Sequence, residues 1–124
     1  MIYYFSGTGN TEIVANMINQ GLSNYQYNVT VIRIEDALKN NLKIDVEKYD
    51  LVGIGCQVIG FCAPNIVHDF ISLLPKVKYK KVFIFRTAGG VAPINYNVSK
   101  PIIRKLSTKG YKVLHKRIFS IGSN

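Results

Sequence analysis

The chain has 124 residues, 48% of them hydrophobic and 19% charged, with a formal net charge of +9. That size and composition support one domain with a buried core and exclude an intrinsically disordered chain. No apolar run reaches the ~18 residues of a membrane span. Met1 leads straight into Ile2-Tyr3-Tyr4-Phe5 with no basic segment, so no secretory leader is expected. Two cysteines make neither a disulfide framework nor a zinc site, which points to the reducing cytoplasm.

The charge is unevenly spread. Residues 1–74 hold four basic side chains and all seven acids, whereas residues 75–124 hold twelve basic side chains and no acid. A basic half of this kind is either a solvated face or a docking face for an acidic partner, which its field would steer. The basic residues are not interleaved with aromatics as a base-stacking platform requires, so nucleic acid is not the expected partner.

Hydrophobic blocks alternate in type along the chain. Ile2–Ser6 reads as a short buried strand. Thr11–Ser23 carries Ile13, Val14, Met17, Ile18 and Leu22 at helical spacing. Asn28–Ile34 alternates as a strand does, and Asp50–Cys56 is an apolar run suited to a central parallel strand. Pro64–Leu74 opens with proline near a helix N-terminus and continues with Ile66, Val67, Phe70, Ile71 and Leu74. Lys81–Phe85 is expected as a strand, Val98–Lys109 as a helix ended by Gly110, and Val113–Phe119 as a fifth strand. Strands alternating with helices pair in parallel through right-handed crossovers, giving a doubly wound α/β sheet. Ligands of such sheets lie outside the carboxyl ends of the strands, at the switch point. The loops 6–11, 57–63 and 87–97 are therefore where function is sought.

The first of these loops is Ser6-Gly7-Thr8-Gly9-Asn10-Thr11, between a strand and a helix. Its glycines permit a tight turn and close backbone approach. Hydroxyls from Ser6, Thr8 and Thr11, the Asn10 amide and the helix N-terminus together suit a phosphate without a lysine. The spacing matches neither a Walker A loop nor a dinucleotide fingerprint. The plainer alternative is a glycine-rich turn with a helix cap.

The run Tyr4-Phe5-Ser6-Gly7-Thr8-Gly9-Asn10-Thr11 resembles the FMN phosphate loop of flavodoxins. Tyr49–Gly55, Gly60–Pro64, Lys81–Phe85 and Lys109-Gly110-Tyr111 extend the resemblance over nearly the whole chain. They look like the flavodoxin half of bacterial proteins that fuse such a domain to a ferredoxin-like domain with iron–sulfur clusters. The resemblance implies a five-stranded sheet in the order 2-1-3-4-5. Gln57 stands where the family often has proline, and Ile121-Gly122-Ser123-Asn124 where it often has Met-Pro-x-Asn. No cysteine cluster follows, so this chain alone cannot hold an iron–sulfur cluster.

By the resemblance, Val58, Ile59, Gly60 and Phe61 flank the isoalloxazine ring. Gly60 is the candidate for a redox-dependent peptide flip, with Ile59 and Phe61 as apolar cover. Thr87, Ala88, Gly89 and Gly90 form the second ring loop, with Thr87 and the glycine backbone toward the pyrimidine edge. Tyr96 is the one aromatic further along that loop, and the chain has no tryptophan. Cys56 reads as an inert buried thiol at a strand end, Cys62 as a loop thiol, and His68 and His115 as packing or surface residues of a helix and a strand. No Ser-His-Asp or paired-carboxylate arrangement suggests hydrolysis.

The expected function is FMN-dependent electron transfer with an acidic redox protein or iron–sulfur domain as partner. The alternatives are an FMN-dependent NAD(P)H or quinone reductase, and an interaction domain that has lost FMN. The resemblance also implies a final helix after strand five, packing beside the first helix, yet the sequence stops at Asn124. The outer part of that sheet face is then expected to expose Val113, Ile118 and the flank of the first helix. A homodimer or a truncated domain would follow from such an apolar patch.

Overall fold

The computed structural model describes residues 1–6, 9–39, 46–57, 64–88 and 100–120. In chain order they form β1 (Ile2–Phe5), α1 (Asn10–Asn24), β2 (Val31–Arg33), α2 (Ile34–Lys39), β3 (Leu51–Gln57), α3 (Asn65–Leu73), β4 (Lys80–Ala88), α4 (Lys100–Thr108) and β5 (Tyr111–Ser120). The strands make one parallel sheet in the order β2-β1-β3-β4-β5. The chain steps from β1 to β2 on one side and then to β3 on the other, so β1 and β3 flank the switch point of a doubly wound α/β fold.

Helices α2, α3 and α4 cover one face. They bury Tyr3, Ile34, Ile54, Phe70, Ile84 and Leu106 in the larger of two core clusters, where the Tyr3 and Phe70 rings stand 4.8 Å apart. Helix α3 follows Pro64, whose φ of −59° suits a helix start, and buries Val67, Phe70 and Ile71 at helical spacing. Helix α4 buries Ile102 and Leu106 and leaves Lys100, Arg104 and Lys105 in solvent. Helix α1 covers the other face, with Val14 and Ala15 packed on Ile2, Tyr4 and Phe85.

The apolar run of β3 sits at the centre of the sheet, and its two glycines have a packing role. Cβ atoms at Gly53 and Gly55 would lie 2.3 and 2.1 Å from the rings of Phe83 and Phe85. The rings of β4 thus lie across bare backbone of β3, and stack with centroids 6.1 Å apart. Side chains on β3 would push both rings away.

Four features depart from the sequence reading. The second strand is only Val31–Arg33, because Ile34 opens helix α2. Six residues are too short to show a helical period. Glu35 and Asp36 in the first turn favour that helix through its dipole, and Ile34 and Ala37 face the core. Strand β4 continues past Phe85, so Thr87 and Ala88 belong to the strand and not to a loop. On α1 the apolar set divides: Val14 is buried, whereas Ile13 is 57% and Met17 65% exposed.

The expectation for Val113 fails as well. It packs against the cluster under the helix-covered face opposite α1. The pairing of β4 and β5 shifts register between Val82 and Phe83, so Val82 faces Val113 but Phe83 faces His115. The extra residue reverses the alternation of β5 across this point. The side chain of Ile118 lies outside the described residues.

The ring-on-glycine packing gives a direct expectation. Gly55→Ala should lower stability by about 1–3 kcal/mol through overpacking. Gly21→Ala, at an exposed position of α1 where an added Cβ meets nothing within 4 Å, should raise it by about 0.5–1 kcal/mol. Urea unfolding of the two variants checks both signs.

Candidate functional site

The parallel register brings three strand ends together. Phe5 of β1 pairs with Cys56 of β3, and Gln57 of β3 pairs with Thr87 of β4. Ser6, Gln57 and Ala88 are therefore neighbouring exit points at the carboxyl edge of the sheet. The segments leaving them are those singled out from the sequence.

Ser6 follows β1 and is buried; its hydroxyl accepts a hydrogen bond of 2.8 Å from the Gly9 amide. This bond closes the turn into α1. Gly9 is the N-cap, with φ +93°, a left-handed conformation that favours glycine. A Cβ at Gly9 would meet nothing within 4 Å, and the helix start has no side-chain cap hydrogen bond. The first backbone bond of the helix runs from the Ile13 amide to the Gly9 carbonyl, 3.1 Å. The amides of Asn10, Thr11 and Glu12 precede that bond, so the helix presents backbone donors at this end.

Thr11 has a different role from the one its position suggests. It is fully buried, and its hydroxyl shares a 2.7 Å hydrogen bond with the hydroxyl of Thr87 on β4. Neither hydroxyl is a surface donor: the pair ties the first turn of α1 to β4. The Thr11 backbone amide remains at the helix start. Sequence reasoning missed this pair; the one available signal was a threonine two residues beyond the apolar run Val82–Phe85 of β4, whose hydroxyl needs a partner once buried.

Asn10 is the first residue of α1 and is half-buried. Gly7, Thr8, Val58, Ile59, Gly60, Phe61, Gly89, Gly90, Cys62 and Tyr96 lie outside the described residues. Beneath the site, Cys56 pairs across the strands with Arg86, and both are buried. Burial pushes the Cys56 thiol from 9.0 up to about 12, with the Arg86 cation opposing this. Burial likewise lowers the Arg86 pKa. His68 sits on α3 with Nδ1 3.1 Å from Nζ of Lys105 of α4. Burial and Lys105 hold its pKa down.

Two outcomes are expected. Thr11→Val and Thr87→Val should each cost about 1–3 kcal/mol, because each leaves one buried hydroxyl without its partner. The double variant should lose less than the sum, which a double-mutant cycle in urea measures. In a Cys62→Ser background, Cys56 should resist iodoacetamide at about pH 8.5 until urea unfolds the chain. Because its folded pKa is the higher one, Cys56 favours the folded state below 9.0, and this contribution falls as pH rises from there through about 12.

Comparison with known proteins agrees with this architecture. The family model described as "Flavodoxin domain" matches residues 1–117. A flavodoxin of Megasphaera elsdenii is 36% identical over 91 residues, which cover 71% of this chain and 64% of that protein. The aligned part thus spans less than two thirds of that relative. Oxidised flavodoxin 1 of Bacillus cereus superposes with a TM-score of 0.74 at 23% identity, over 99% of this chain and 84% of its own. The flavodoxin of Streptococcus pneumoniae TIGR4 gives 0.74 at 17% identity, over 99% and 85%. These structures share the fold, and the family model extends through the described site, so the chain belongs to the flavodoxin family.

Proposed function

We propose that this chain binds FMN at the carboxyl edge of the sheet and carries electrons between redox partners. One observation supports this reading above the others. The Ser6–Gly9 turn opens into a helix start without a side-chain cap, directly beside the ends of β3 and β4. A phosphate suits that donor set, because backbone amides and a helix N-terminus stabilise an anion without a lysine.

Ser6, Gly7, Thr8, Gly9, Asn10 and the backbone of Thr11 would hold the phosphate. Val58–Phe61 and Gly89-Gly90, leaving the neighbouring strand ends, would flank the ring. FMN supplies the redox chemistry when bound; the protein binds it and tunes it. Ser6 is already fixed by the Gly9 amide and keeps its own proton to donate. The Thr11–Thr87 pair holds the helix start at a set height above the sheet.

The partner is an acidic iron–sulfur protein or domain. Lys81, Lys100, Arg104, Lys105, Lys112 and Lys116 are exposed, and residues 75–124 contain no acid to neutralise them. Such a field steers an acidic protein toward this half of the molecule. No helix of the described residues is long and apolar enough to cross a membrane.

FMN should quench on titration and bind more tightly than riboflavin, which lacks the phosphate. Thr8→Val should weaken FMN by about 10–100-fold, the loss of one bond to a charged acceptor, and leave riboflavin nearly unchanged. Equal losses for both ligands would count against a phosphate in this loop. Stopped-flow electron transfer to an acidic ferredoxin should slow as salt rises, because exposed charges are screened beyond ~8 Å at physiological ionic strength. A flat rate would leave the basic half a solvated face.

A further inference from the structure

In a parallel sheet every strand starts at the same edge, so the connections that enter the strands meet there. Residues 25–30 lead into β2, 46–50 into β3, 74–79 into β4, and Lys109-Gly110 into β5. They lie at the opposite end of the strands from Ser6, Gln57 and Ala88. Of the seven large apolar side chains exposed among the described residues, four belong to this amino edge. Tyr25, Tyr27, Tyr79 and Leu73, the last residue of α3, are each 60% to 80% exposed. Five lysines are exposed there as well: Lys48, Lys76, Lys78, and Lys81 and Lys112 at the starts of β4 and β5. The exposed acids on these connections are Glu47 and Asp50.

The connection from α3 to β4 is bonded in place from within. The Val77 amide donates to the Lys109 carbonyl at 2.8 Å, and the Tyr111 hydroxyl to the Pro75 carbonyl at 2.7 Å. Lys109 Nζ donates to the Leu74 carbonyl at 2.8 Å, and Nζ of the buried Lys80 to the Tyr49 carbonyl at 2.6 Å. Gly110 has φ +96°, and a Cβ there would lie 1.8 Å from the Val77 carbonyl oxygen, so the two connections touch where only glycine fits. Leu74 turns into the core, whereas Leu73, Lys76, Lys78 and Tyr79 turn outward. A fixed segment thus holds two cations, a tyrosine and a leucine in solvent. Between it and Glu47 lies an open hollow of about 480 Å³, with Lys76, Lys78 and Tyr79 on its wall.

We propose that the amino edge of the sheet rests on the surface of an anionic phospholipid membrane. Tyrosine rings and lysine stems settle at headgroup depth, with the apolar body inward and the polar end in water. Lysines near the surface are drawn by the negative charge of the lipids. A protein partner fits less well. Protein interfaces bury their aromatic anchors together in packed pockets, whereas these tyrosines stand singly on separate connections. The hollow beside Lys76 and Lys78 takes a lipid phosphate on its lysine side, away from Glu47. With this edge on the membrane, the carboxyl edge faces solution at the other end of the strands. The inference rests on the amino edge alone and is independent of the FMN reading.

The test is co-sedimentation of the full chain with vesicles of phosphatidylcholine, with and without about 30% phosphatidylglycerol. The anionic vesicles should bind at least about tenfold more tightly, and raising salt from about 50 to about 300 mM should weaken this about tenfold. A chain of net charge +9 is attracted to any anionic surface, so the variants carry the decision. Lys76→Glu combined with Lys78→Glu should weaken binding at least about tenfold with unchanged circular dichroism. Lys100→Glu combined with Arg104→Glu, the same change of charge on α4, should weaken it less than about threefold. Tyr79→Ala, which alters no charge, should weaken it about threefold. Ile13→Ala, exposed near the carboxyl end of the sheet at the start of α1, should leave it unchanged. Equal losses from the two charge pairs, or no effect of Tyr79→Ala, overturn the proposal. So does retention on poly-glutamate beads that Tyr79→Ala weakens while vesicles bind nothing: the edge would then belong to an acidic protein.

Discussion

The hydrogen bond between Thr11 and Thr87 is the constraint on which the site depends. It joins two residues 76 positions apart, the first turn of one helix and the end of a central strand. Both are buried, so the bond is exchanged with water only if the helix start lifts from the sheet. The turn closed by Ser6 and Gly9 is attached at one end to β1 and at the other to this bond. Both ends of this segment are thus held by the sheet. Anion binding by backbone amides needs such fixing, because the donors act together only if they stay aimed at one point.

The packing below is arranged to the same end. Gly53 and Gly55 let the Phe83 and Phe85 rings lie across β3. Phe85 is buried against the α1 cluster, two residues before Thr87. On the opposite side of the same strands, Cys56 and Arg86 are buried, and the thiol is held protonated. Cys56 is thus part of the floor, buried and with its thiol in the protonated form that is the poorer nucleophile.

The architecture was legible because its signals are local. Apolar runs at Ile2, Asp50 and Lys81, separated by helical periods, can pair in few ways once crossovers must be right-handed. The turn at Ser6–Thr11 was legible for a similar reason, since six adjacent residues carry it. What stayed hidden depends on distant partners. The role of Thr11 is decided by a strand far along the chain, and the glycines of β3 are explained only by rings on β4. The face of Val113 could not be read because a single extra residue in β5 reverses the alternation. Ile13 and Met17 share the helical spacing of a core stripe, and only their exposure in the folded chain shows that they face solvent.

The central claim is that FMN sits at the carboxyl edge of the sheet with its phosphate at the start of α1. Backbone amide shifts in nuclear magnetic resonance, followed as FMN is added, test it most directly. The account predicts the largest shifts at Gly7, Thr8, Gly9, Asn10 and Thr11, with further shifts at Val58–Phe61 and Gly89-Gly90. Riboflavin should reproduce the second group and not the first. Shifts confined to the amino edge of the sheet, around Leu22, Val29 and Leu51, or no saturable shifts at all, would contradict it.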